Sequence, residues 1–415
     1  MPLLIHNLSQ IATPVGRGAA RGASMRRLTT YDGEAVIVVE RGRFLYVGPR
    51  AEMPREIIVD DDFDARGGTA VPGFVDAHTH IAFAGTRESE FNRRLQGETY
   101  EEIAASGGGI ASTVQATRRA SEEQLAENVL AHARLMALHG TTTAEVKSGY
   151  GLDKESELKQ LRAIRAAATA EHSPVRLVPT CLAAHEFPSG GRDTYVATIV
   201  DEILPAVAEQ RLATFCDAFV ERGVFSREEG ESVLRAGAEL GLIPRLHADE
   251  LSDTDGAALA VELGAASADH LMHVSERGIE ALAKSTTVAN LLPATSFFLM
   301  SDRYAPARAL IDAGAIVALS TDCNPGSSMT ESMLMAMQLA TLRMKMTVEE
   351  SLTAATLNAA YSLHLSSETG SIETGKRADL VLLDAPNYLH LVYHFGVNLV
   401  RDVFRDGNCV VRDGR

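Results

Sequence analysis

The sequence predicts an α/β fold, a (β/α)8 TIM-like barrel joined to a small β-sandwich domain formed from both chain ends. Eight short apolar runs alternate with helix-patterned segments in the middle of the chain, and both ends carry short strand patterns broken by turns. The length of 415 residues also exceeds what one small core requires. Alternating strands and helices favour a parallel sheet, and eight repeats favour a closed barrel. An open doubly wound sheet is the alternative, but no GxGxxG follows the first strand.

The two chain ends, residues 1–70 and 370–415, predict one discontinuous β domain. The first end contains EAVIVVERGRFLYVGP, two alternating runs around an Arg-Gly turn. The second end contains RADLVLLDAPN and then LVRDVFRDGNCVVRDG, which is typical of two strands around an Asp-Gly turn. Because chain termini often lie close together, these strands are expected to share one domain. Residues 71–369 are left for the barrel.

The eight runs of the predicted barrel read, in chain order, GFVDAHTH, TTTAEVKSGYG, VRLVPTCLAAHE, ATFCDAFVE, IPRLHADE, ASADHLMH, TTVANLLPAT and AIVALSTDCNPG. Helical segments between them include SEEQLAENVLAHARLMALHG and SREEGESVLRAGAELGL. In the first of these, Ser121 is the predicted N-cap and Gly140 lies where a C-terminal glycine belongs. The glycine run at 107–109 is expected to form a mobile loop and is a candidate lid.

Composition excludes several classes of partner. A formal net charge of −16 argues against nucleic acid and anionic membrane surfaces. The four cysteines are widely spaced and form no CxxC pair, which fits a reducing cytoplasm. The first residues, MPLLIHNLSQ, lack the basic and apolar regions of a secretory signal, and no run approaches the roughly 20 apolar residues of a membrane span. We therefore expect a cytoplasmic protein. The net charge says little about small ligands, because the local charge of a pocket can oppose it.

The first apolar run ends in two histidines, His78 and His80, one residue apart. In a strand these side chains project from the same face, which suits chelation, although a single strand-end histidine is more often a packing residue. His247 and Asp322 follow the fifth and eighth runs. A barrel brings the carboxyl ends of its strands to one rim. Three imidazoles and one carboxylate there predict a metal site for Zn or Fe.

Three residues of this rim are candidate catalytic groups: Glu250, His270 and Asp322. Glu250 lies three residues beyond His247, where a carboxylate could act as general base and acid. Its alternative is a solvated loop carboxylate. His270 could polarise a substrate carbonyl or orient water, and its alternative is a hydrogen-bonded core histidine. Asp322 could instead cap a helix.

Other strand-end residues favour ligand binding. Arg87 in GTRESEFNRR could clamp a carboxylate, although an arginine in a charged loop is usually solvated. Tyr150 in SGYG could direct a hydroxyl into a pocket, or could simply belong to a turn. In CNPGSSM, the side chains and amides of Asn324, Gly326 and Ser327 could hold a second polar group.

Taken together, these motifs resemble a known superfamily. PGFVDAHTH, LHADE, ADHL and STDCNPG are similar to the amidohydrolase superfamily of metal-dependent barrels, and GSIETGKRADLVLLD resembles its small β domain. HTHIAFAGTRESEFNRRLQGETYEEIAASGGGI, VKSGYGL, LAAHEFP and DCNPGSS more specifically resemble the imidazolonepropionase family. The resemblance covers essentially the whole chain.

The resemblance implies the same metal ligands, His78, His80, His247 and Asp322. Lys147 does not stand where some superfamily members carry a carboxylated, metal-bridging lysine, so the resemblance implies one divalent or trivalent ion per chain, Zn or Fe. The substrate contacts that it implies are Arg87, Tyr150, His185, Glu250, Asn324, Gly326 and Ser327.

The implied enzyme is a hydrolase of carbon–nitrogen bonds in cyclic amides. It would convert 4-imidazolone-5-propanoate to N-formimidoyl-L-glutamate in histidine degradation, as a homodimer. One alternative is a related deaminase or cyclic-amide hydrolase acting on another carboxylate-bearing heterocycle, and ammonia release would indicate a deaminase. Another is an inactive barrel that serves as a binding or scaffolding protein, which would be expected to have lost metal ligands.

Overall fold

The computed structural model describes residues 2–98, 102, 108–188 and 191–415. The nineteen strands named within them are β1 Leu3–His6, β2 Gln10–Pro14, β3 Leu28–Asp32, β4 Ala35–Glu40, β5 Arg43–Pro49, β6 Asp61–Asp64, β7 Thr69–Pro72, β8 Phe74–Asp76, β9 Thr141–Lys147, β10 Arg176–Ala184, β11 Phe215–Val220, β12 Ile243–Pro244, β13 Leu246–Ala248, β14 Ser267–His270, β15 Val288–Leu291, β16 Ile316–Leu319, β17 Leu380–Leu383, β18 Val400–Arg405 and β19 Asn408–Val411.

The helices in the described part of the chain lie mostly between the barrel strands. They span Glu88–Leu95, Ile110–Arg119, Glu122–Leu138, Lys154–Thr169, Arg192–Thr198, Leu204–Glu209, Arg227–Glu239, Gly256–Glu262, Glu276–Lys284, Pro293–Phe298, Ala307–Ala313, Met333–Met344, Val348–Ala354, Leu357–Ser362 and His390–Tyr393. Within these described segments, no helix is both long and apolar enough to cross a membrane.

The predicted eight-stranded barrel is confirmed. Its parallel strands follow one another in space as they do in sequence, in the order β8, β9, β10, β11, β13, β14, β15 and β16. The two-residue strand β12 pairs with β11 beside β13. Each of the eight apolar runs in the sequence supplies one of these strands, so alternation of strand and helix patterns was sufficient to predict the architecture.

The first and last barrel strands are joined through residues that follow them. Thr79 and Cys323 form a parallel bridge. The amide of Asp322 donates to the carbonyl of His78 at 3.1 Å, and the amide of His80 donates to the carbonyl of Cys323 at 2.9 Å. Closure of the barrel therefore places the histidine pair directly beside Asp322.

The chain ends form two sheets, one of β5, β4, β1 and β6 and one of β19, β18, β17, β7, β2 and β3. Ile5 and Ile37 of the first sheet pack against Leu380 and Phe404 of the second in one buried cluster. This arrangement confirms the predicted β-sandwich. Both predicted hairpins are present. The exact division into domains, at 70/71 and 369/370, stays a prediction.

Local signals also placed helix ends correctly. The Ser121 hydroxyl accepts from the amide of Gln124 at 3.2 Å, and the Gln124 side chain accepts from the amide of Ser121 at 3.0 Å. This reciprocal pair caps the helix Glu122–Leu138. Gly140 has a φ of 90°, a conformation that favours glycine after a helix. Of the glycine run at 107–109, Gly107 lies outside the described residues.

Candidate metal centre and substrate cavity

Four candidate donor atoms converge at the carboxyl ends of the barrel strands. Nε2 of His80 lies 3.2 Å from Nε2 of His78 and 3.4 Å from Nε2 of His247. Oδ1 of Asp322 lies 3.4 Å from Nε2 of His80 and 3.5 Å from Nε2 of His78. All four side chains are buried. The structure thus brings together the residues that the sequence predicted as metal ligands.

This spacing fits a small cation. Ligand bonds of about 2.0–2.2 Å in a tetrahedral site separate the ligands by about 3.3–3.6 Å. The donors of His78, His80 and Asp322 are 3.2–3.5 Å apart, and Nε2 of His247 lies 3.4 Å from Nε2 of His80. Nδ1 of His78 lies 2.8 Å from Oδ2 of Asp269, a pure acceptor when ionised. With Nδ1–H donating to Asp269, His78 would present Nε2 to a metal ion once that nitrogen gives up its proton.

His270 borders the same centre. One nitrogen each of His78, His247 and His270 lie within 4.8 Å of one another. Nε2 of His270 is 3.6 Å from Oε2 of Glu250. Burial holds the pKa of His270 down at about 3, so its ring is neutral and offers one N–H donor. The structure therefore groups the three candidate catalytic residues Glu250, His270 and Asp322 around the predicted metal ligands.

The two carboxylates of this group have opposite pKa shifts. Burial, and then the charge of Asp322, raises the pKa of Glu250 to about 7. Burial also opposes ionisation of Asp322, but hydrogen bonds from His78 and His80 outweigh it and hold the pKa of Asp322 well below its usual range. An ionised ligand beside a carboxyl that titrates near neutrality is an arrangement suited to general acid–base chemistry.

Sequence reasoning missed a layer of buried charges beneath the donors. Oδ2 of Asp217 lies 3.1 Å from Nδ1 of His247 and 2.8 Å from Nζ of Lys147. Nη2 of Arg245 lies 3.5 Å from Oδ2 of Asp269. These four charged side chains are fully buried in the barrel. His247 thus has Asp217 behind it, and His78 has Asp269 behind it. Each of these carboxylates contacts a cation, Lys147 for Asp217 and Arg245 for Asp269.

A signal for this layer was present in the sequence. Arg245 precedes His247 by two residues, and Glu145 precedes Lys147 by two, so each pair shares one face of its strand. A charged residue two positions before a site residue, inside an otherwise apolar run, indicates a second polar layer in the barrel. Burial would raise the pKa of Asp217, but the charges of Lys147 and then His247 hold it well below its usual range.

A cavity of about 320 Å³ opens onto the donors. The predicted site residues that line it are His80, Arg87, Tyr150, His185, His247, Glu250, His270, Asp322, Asn324, Gly326 and Ser327. The sequence did not single out Glu90, Arg94, Ile110, Phe219, Leu251 and Leu299, which line it as well. One concave site therefore contains both the donors and the predicted substrate contacts.

His185 and Tyr150 form one wall of the cavity. The His185 ring stacks on His80 with centroids 5.1 Å apart, and Tyr150 lies 5.4 Å from His185. Nδ1 of His185 lies 3.0 Å from the carbonyl of Gly149, which only accepts. Burial lowers the pKa of His185 to about 4. The neutral ring therefore leaves Nε2 as an acceptor for a ligand.

Two arginines line the cavity from one helix. Arg87 precedes the helix Glu88–Leu95, and residues 87, 90 and 94 fall on one face of it. The Arg87 guanidinium donates to Glu90 from Nε at 2.9 Å, and Glu90 also accepts from the amide of Gly109 at 3.1 Å. Nη2 of Arg94 donates to the carbonyl of Gly326 at 3.2 Å. With Glu90 compensating one guanidinium, this wall carries one net positive charge.

The Asn324 loop is more internally bonded than the sequence suggested. Oδ1 of Asn324 accepts from the amides of Gly326 and Ser327, both at 2.8 Å. Those amides are therefore already paired, and a ligand would have to exchange with Asn324 to use them. Gly326 has a separate steric role, because a Cβ on it would lie 2.2 Å from Nη1 of Arg87.

Three imidazoles and a carboxylate at the rim of a (β/α)8 barrel with a β-sandwich from both chain ends define a metal-dependent hydrolase of the amidohydrolase type. The model of the amidohydrolase family matches residues 227–410. Imidazolonepropionase of Geobacillus sp. (strain WCH70) is 47% identical over 423 residues, covering 100% of this chain and 99% of the relative. That of Treponema denticola is 50% identical over 384 residues, covering 91% and 92%. The chain belongs to the imidazolonepropionase family.

The fold recurs in solved structures of lower identity. An adenosine deaminase from Xanthomonas campestris with bound zinc aligns with a TM-score of 0.72 at 19% identity, covering 99% of this chain and 93% of that one. This likeness concerns the fold alone. The superfamily resemblance and the family expected from the sequence motifs are both confirmed, and so is the class of enzyme, a hydrolase of carbon–nitrogen bonds.

Proposed function

We propose that this chain hydrolyses the cyclic amide of 4-imidazolone-5-propanoate to N-formimidoyl-L-glutamate, a step of histidine degradation. The observation that carries the proposal is one cavity that combines candidate metal donors with a cationic wall. Membership in the imidazolonepropionase family supports it. A heterocycle with a carboxylate tail has the chemistry that this cavity complements. We place the enzyme in the cytoplasm as a homodimer, in line with the sequence-based expectation.

In this proposal His78, His80, His247 and Asp322 hold one ion per chain, Zn or Fe. The spacing of the His78, His80 and Asp322 donors at 3.2–3.5 Å, with Nε2 of His247 at 3.4 Å from Nε2 of His80, supports that set. When bound, such a metal acts as a Lewis acid that polarises the ring carbonyl and lowers the pKa of water. Lys147 serves no bridging role here, because its Nζ donates to Glu145 and Asp217, each at 2.8 Å.

Glu250 moves the proton. Its carboxylate accepts a proton from the water whose oxygen bonds to the ring carbonyl carbon, and it then returns that proton to the departing ring nitrogen. The carbon–oxygen bond forms as the water proton leaves, and the carbon–nitrogen bond breaks as the nitrogen is protonated. A carboxyl with a pKa raised to about 7 suits both halves of this exchange.

His270 supports the developing charge on the ring carbonyl oxygen. Its neutral ring has one N–H to donate, and it lies beside His247 and Glu250, where this proposal places the reacting carbonyl. Fixed donors of this kind need no rearrangement as the oxyanion forms, and they often supply the largest part of the rate enhancement.

Arg87 and Tyr150 anchor the propanoate tail, with Asn324, Gly326 and Ser327 on the loop next to Arg87. His185 receives a ring N–H at its free Nε2. Binding the tail and the ring at separate points fixes the ring relative to Glu250, which lowers the entropic part of the barrier.

The direct test is turnover of 4-imidazolone-5-propanoate by the purified, metal-loaded chain. Loss of imidazolone ultraviolet absorbance, with N-formimidoyl-L-glutamate as product and no ammonia, is expected. Release of ammonia from a related heterocycle, without imidazolone turnover, would instead identify a deaminase. A folded, metal-loaded chain that turns over no cyclic amide would revive the binding or scaffolding alternative.

A further inference from the structure

Lys147 is a buried cation that the proposed chemistry does not use. Its side chain is fully buried at the end of β9, and its ammonium donates to Oε1 of Glu145 and Oδ2 of Asp217, both at 2.8 Å. Burying a charge is costly unless it is paired and hydrogen-bonded. A fully buried lysine therefore indicates a role beyond packing, and its contact with Asp217 indicates which role.

That carboxylate faces the metal centre. The same oxygen, Oδ2 of Asp217, lies 3.1 Å from Nδ1 of His247. Nε2 of His247 is the atom that joins the donor cluster, 3.4 Å from Nε2 of His80. The two ring nitrogens of His247 thus connect Lys147, through Asp217, to the proposed ligand set.

Contacts around His247 leave Asp217 as the group behind Nδ1. The 3.1 Å contact with Oδ2 of Asp217 is a close charge contact and not a well-aligned hydrogen bond, and no other described group bonds Nδ1. A carboxylate behind a ligating histidine fixes the tautomer and the ring plane. Asp217 can do this only while its oxygen stays in place, and Lys147 is the cation that holds that oxygen.

We infer that Lys147 is a positioning residue for the metal centre, acting through Asp217 on His247. The inference rests on the proposed role of His247 as a ligand. It concerns the ammonium as a fixed donor, and it assigns Lys147 no contact with substrate or metal. The Arg245–Asp269–His78 series repeats the pattern with a longer cation contact of 3.5 Å, so Lys147 gives the sharper test.

The sign of the effect separates positioning from simple electrostatics. Lys147, Glu145 and Asp217 together carry one net negative charge. Lys147→Met leaves two, which by charge alone should strengthen binding of a dication. Loss of positioning weakens it, by about 10- to 100-fold for groups behind a ligand. The double variant Lys147→Met/Glu145→Gln restores the single negative charge while still lacking the ammonium. The side-chain amide introduced at position 145 still has an oxygen that can accept a hydrogen bond from the backbone N–H of Thr79, as the Glu145 carboxylate does in the wild type.

The experiment measures the zinc Kd of the full chain by competition with a chromophoric chelator, together with the thermal midpoint of the metal-free protein. Lys376→Met is the matched control, because Lys376 is also buried but lies in the terminal β region. We expect both single variants to lower the metal-free midpoint. Only those lacking Lys147 should weaken zinc binding, about 10- to 100-fold.

Zinc affinity that is unchanged or tighter in folded Lys147→Met and in the double variant would overturn the inference. If the single variant does not fold, the charge-balanced double variant decides. A wild-type chain that binds no zinc or iron would overturn the proposed function itself, and this assignment with it. Normal wild-type binding and turnover with unaffected variants would overturn the assignment alone.

Discussion

Nδ1 of His78 lies 2.8 Å from Oδ2 of Asp269, a residue 191 positions further along the chain. This contact determines which nitrogen of His78 faces the metal centre. Asp269→Asn keeps the shape of the side chain but offers an amide in place of a full carboxylate. We expect zinc affinity to fall about 10- to 100-fold, measured by chelator competition.

Asp402→Asn is the matched control for that change. Asp402 is equally buried, but it pairs with Arg401 at 2.8 Å in the terminal sheets. Its variant should lose stability without losing zinc affinity. Equal zinc affinity in Asp269→Asn and wild type would contradict the orientation that we assign to His78.

Gly326→Ala should displace Arg87. The new Cβ would lie 2.2 Å from Nη1 of Arg87, and Gly326 has no positive φ that would itself strain an alanine. We expect KM for the imidazolone substrate to rise with little change in kcat, as for Arg87→Ala. Gly18→Ala is the control, because a Cβ at that position has no neighbouring atom within 4 Å. Steady-state kinetics of the two variants are compared. An unchanged KM would mean that Arg87 does not hold the tail.

Arg94→Met should weaken binding of the carboxylate tail. Glu90 compensates Arg87, so Arg94 supplies the net charge of the cavity wall. Charge-assisted hydrogen bonds contribute about 1.5–3 kcal/mol, which corresponds to an inhibition constant on the order of 10- to 100-fold higher. The measurement compares imidazole-4-propanoate with its neutral amide as competitive inhibitors.

Only the carboxylate inhibitor should lose affinity in Arg94→Met. Arg93→Met is the control on the same helix, since Arg93 pairs with Glu98 at 2.9 Å and does not line the cavity. Equal losses for the acid and the amide would show that Arg94 supports the cavity wall sterically and not through its charge.

Glu250 should impose an acid limb on kcat/KM. Its ionised form accepts the proton, so activity is present above its pKa and falls as the pH drops through it. Burial raises that pKa from 4.5 to about 7, and a bound cation lowers it, so the limb should fall between these values. Glu250→Gln should remove the limb and lower kcat by about 10²- to 10⁴-fold.

Glu186→Gln is the control for this titration. Burial also raises the pKa of Glu186, but its side chain bonds the amide of Phe187 at 2.8 Å and does not line the cavity. The acid limb should persist in this variant. If it persisted in Glu250→Gln as well, another group would be the base.

The barrel and its donors could be predicted because each left a local pattern. Eight apolar runs separated by helical periodicity determine the architecture. The spacing of His78 and His80 determines that both face one way, and the barrel rim brings His247 and Asp322 to them.

Other parts of the site depend on contacts that no local pattern specifies. Asp217 and Asp269 lie inside apolar strands, and their partners come from strands distant in sequence. Arg94 was within a quoted motif, yet which face of its helix meets the cavity is decided by packing. The internal bonds of the Asn324 loop likewise follow from its folded turn.

Metal content and turnover measured together in His247→Ala test the central claim most directly. Wild type should contain one zinc or iron per chain and hydrolyse 4-imidazolone-5-propanoate, and chelation should remove both properties until metal is restored. His247→Ala should lack bound metal and turnover alike, with its terminal sheets still folded. A His247→Ala protein that is fully metallated and active would contradict the ligand set on which the proposed chemistry depends.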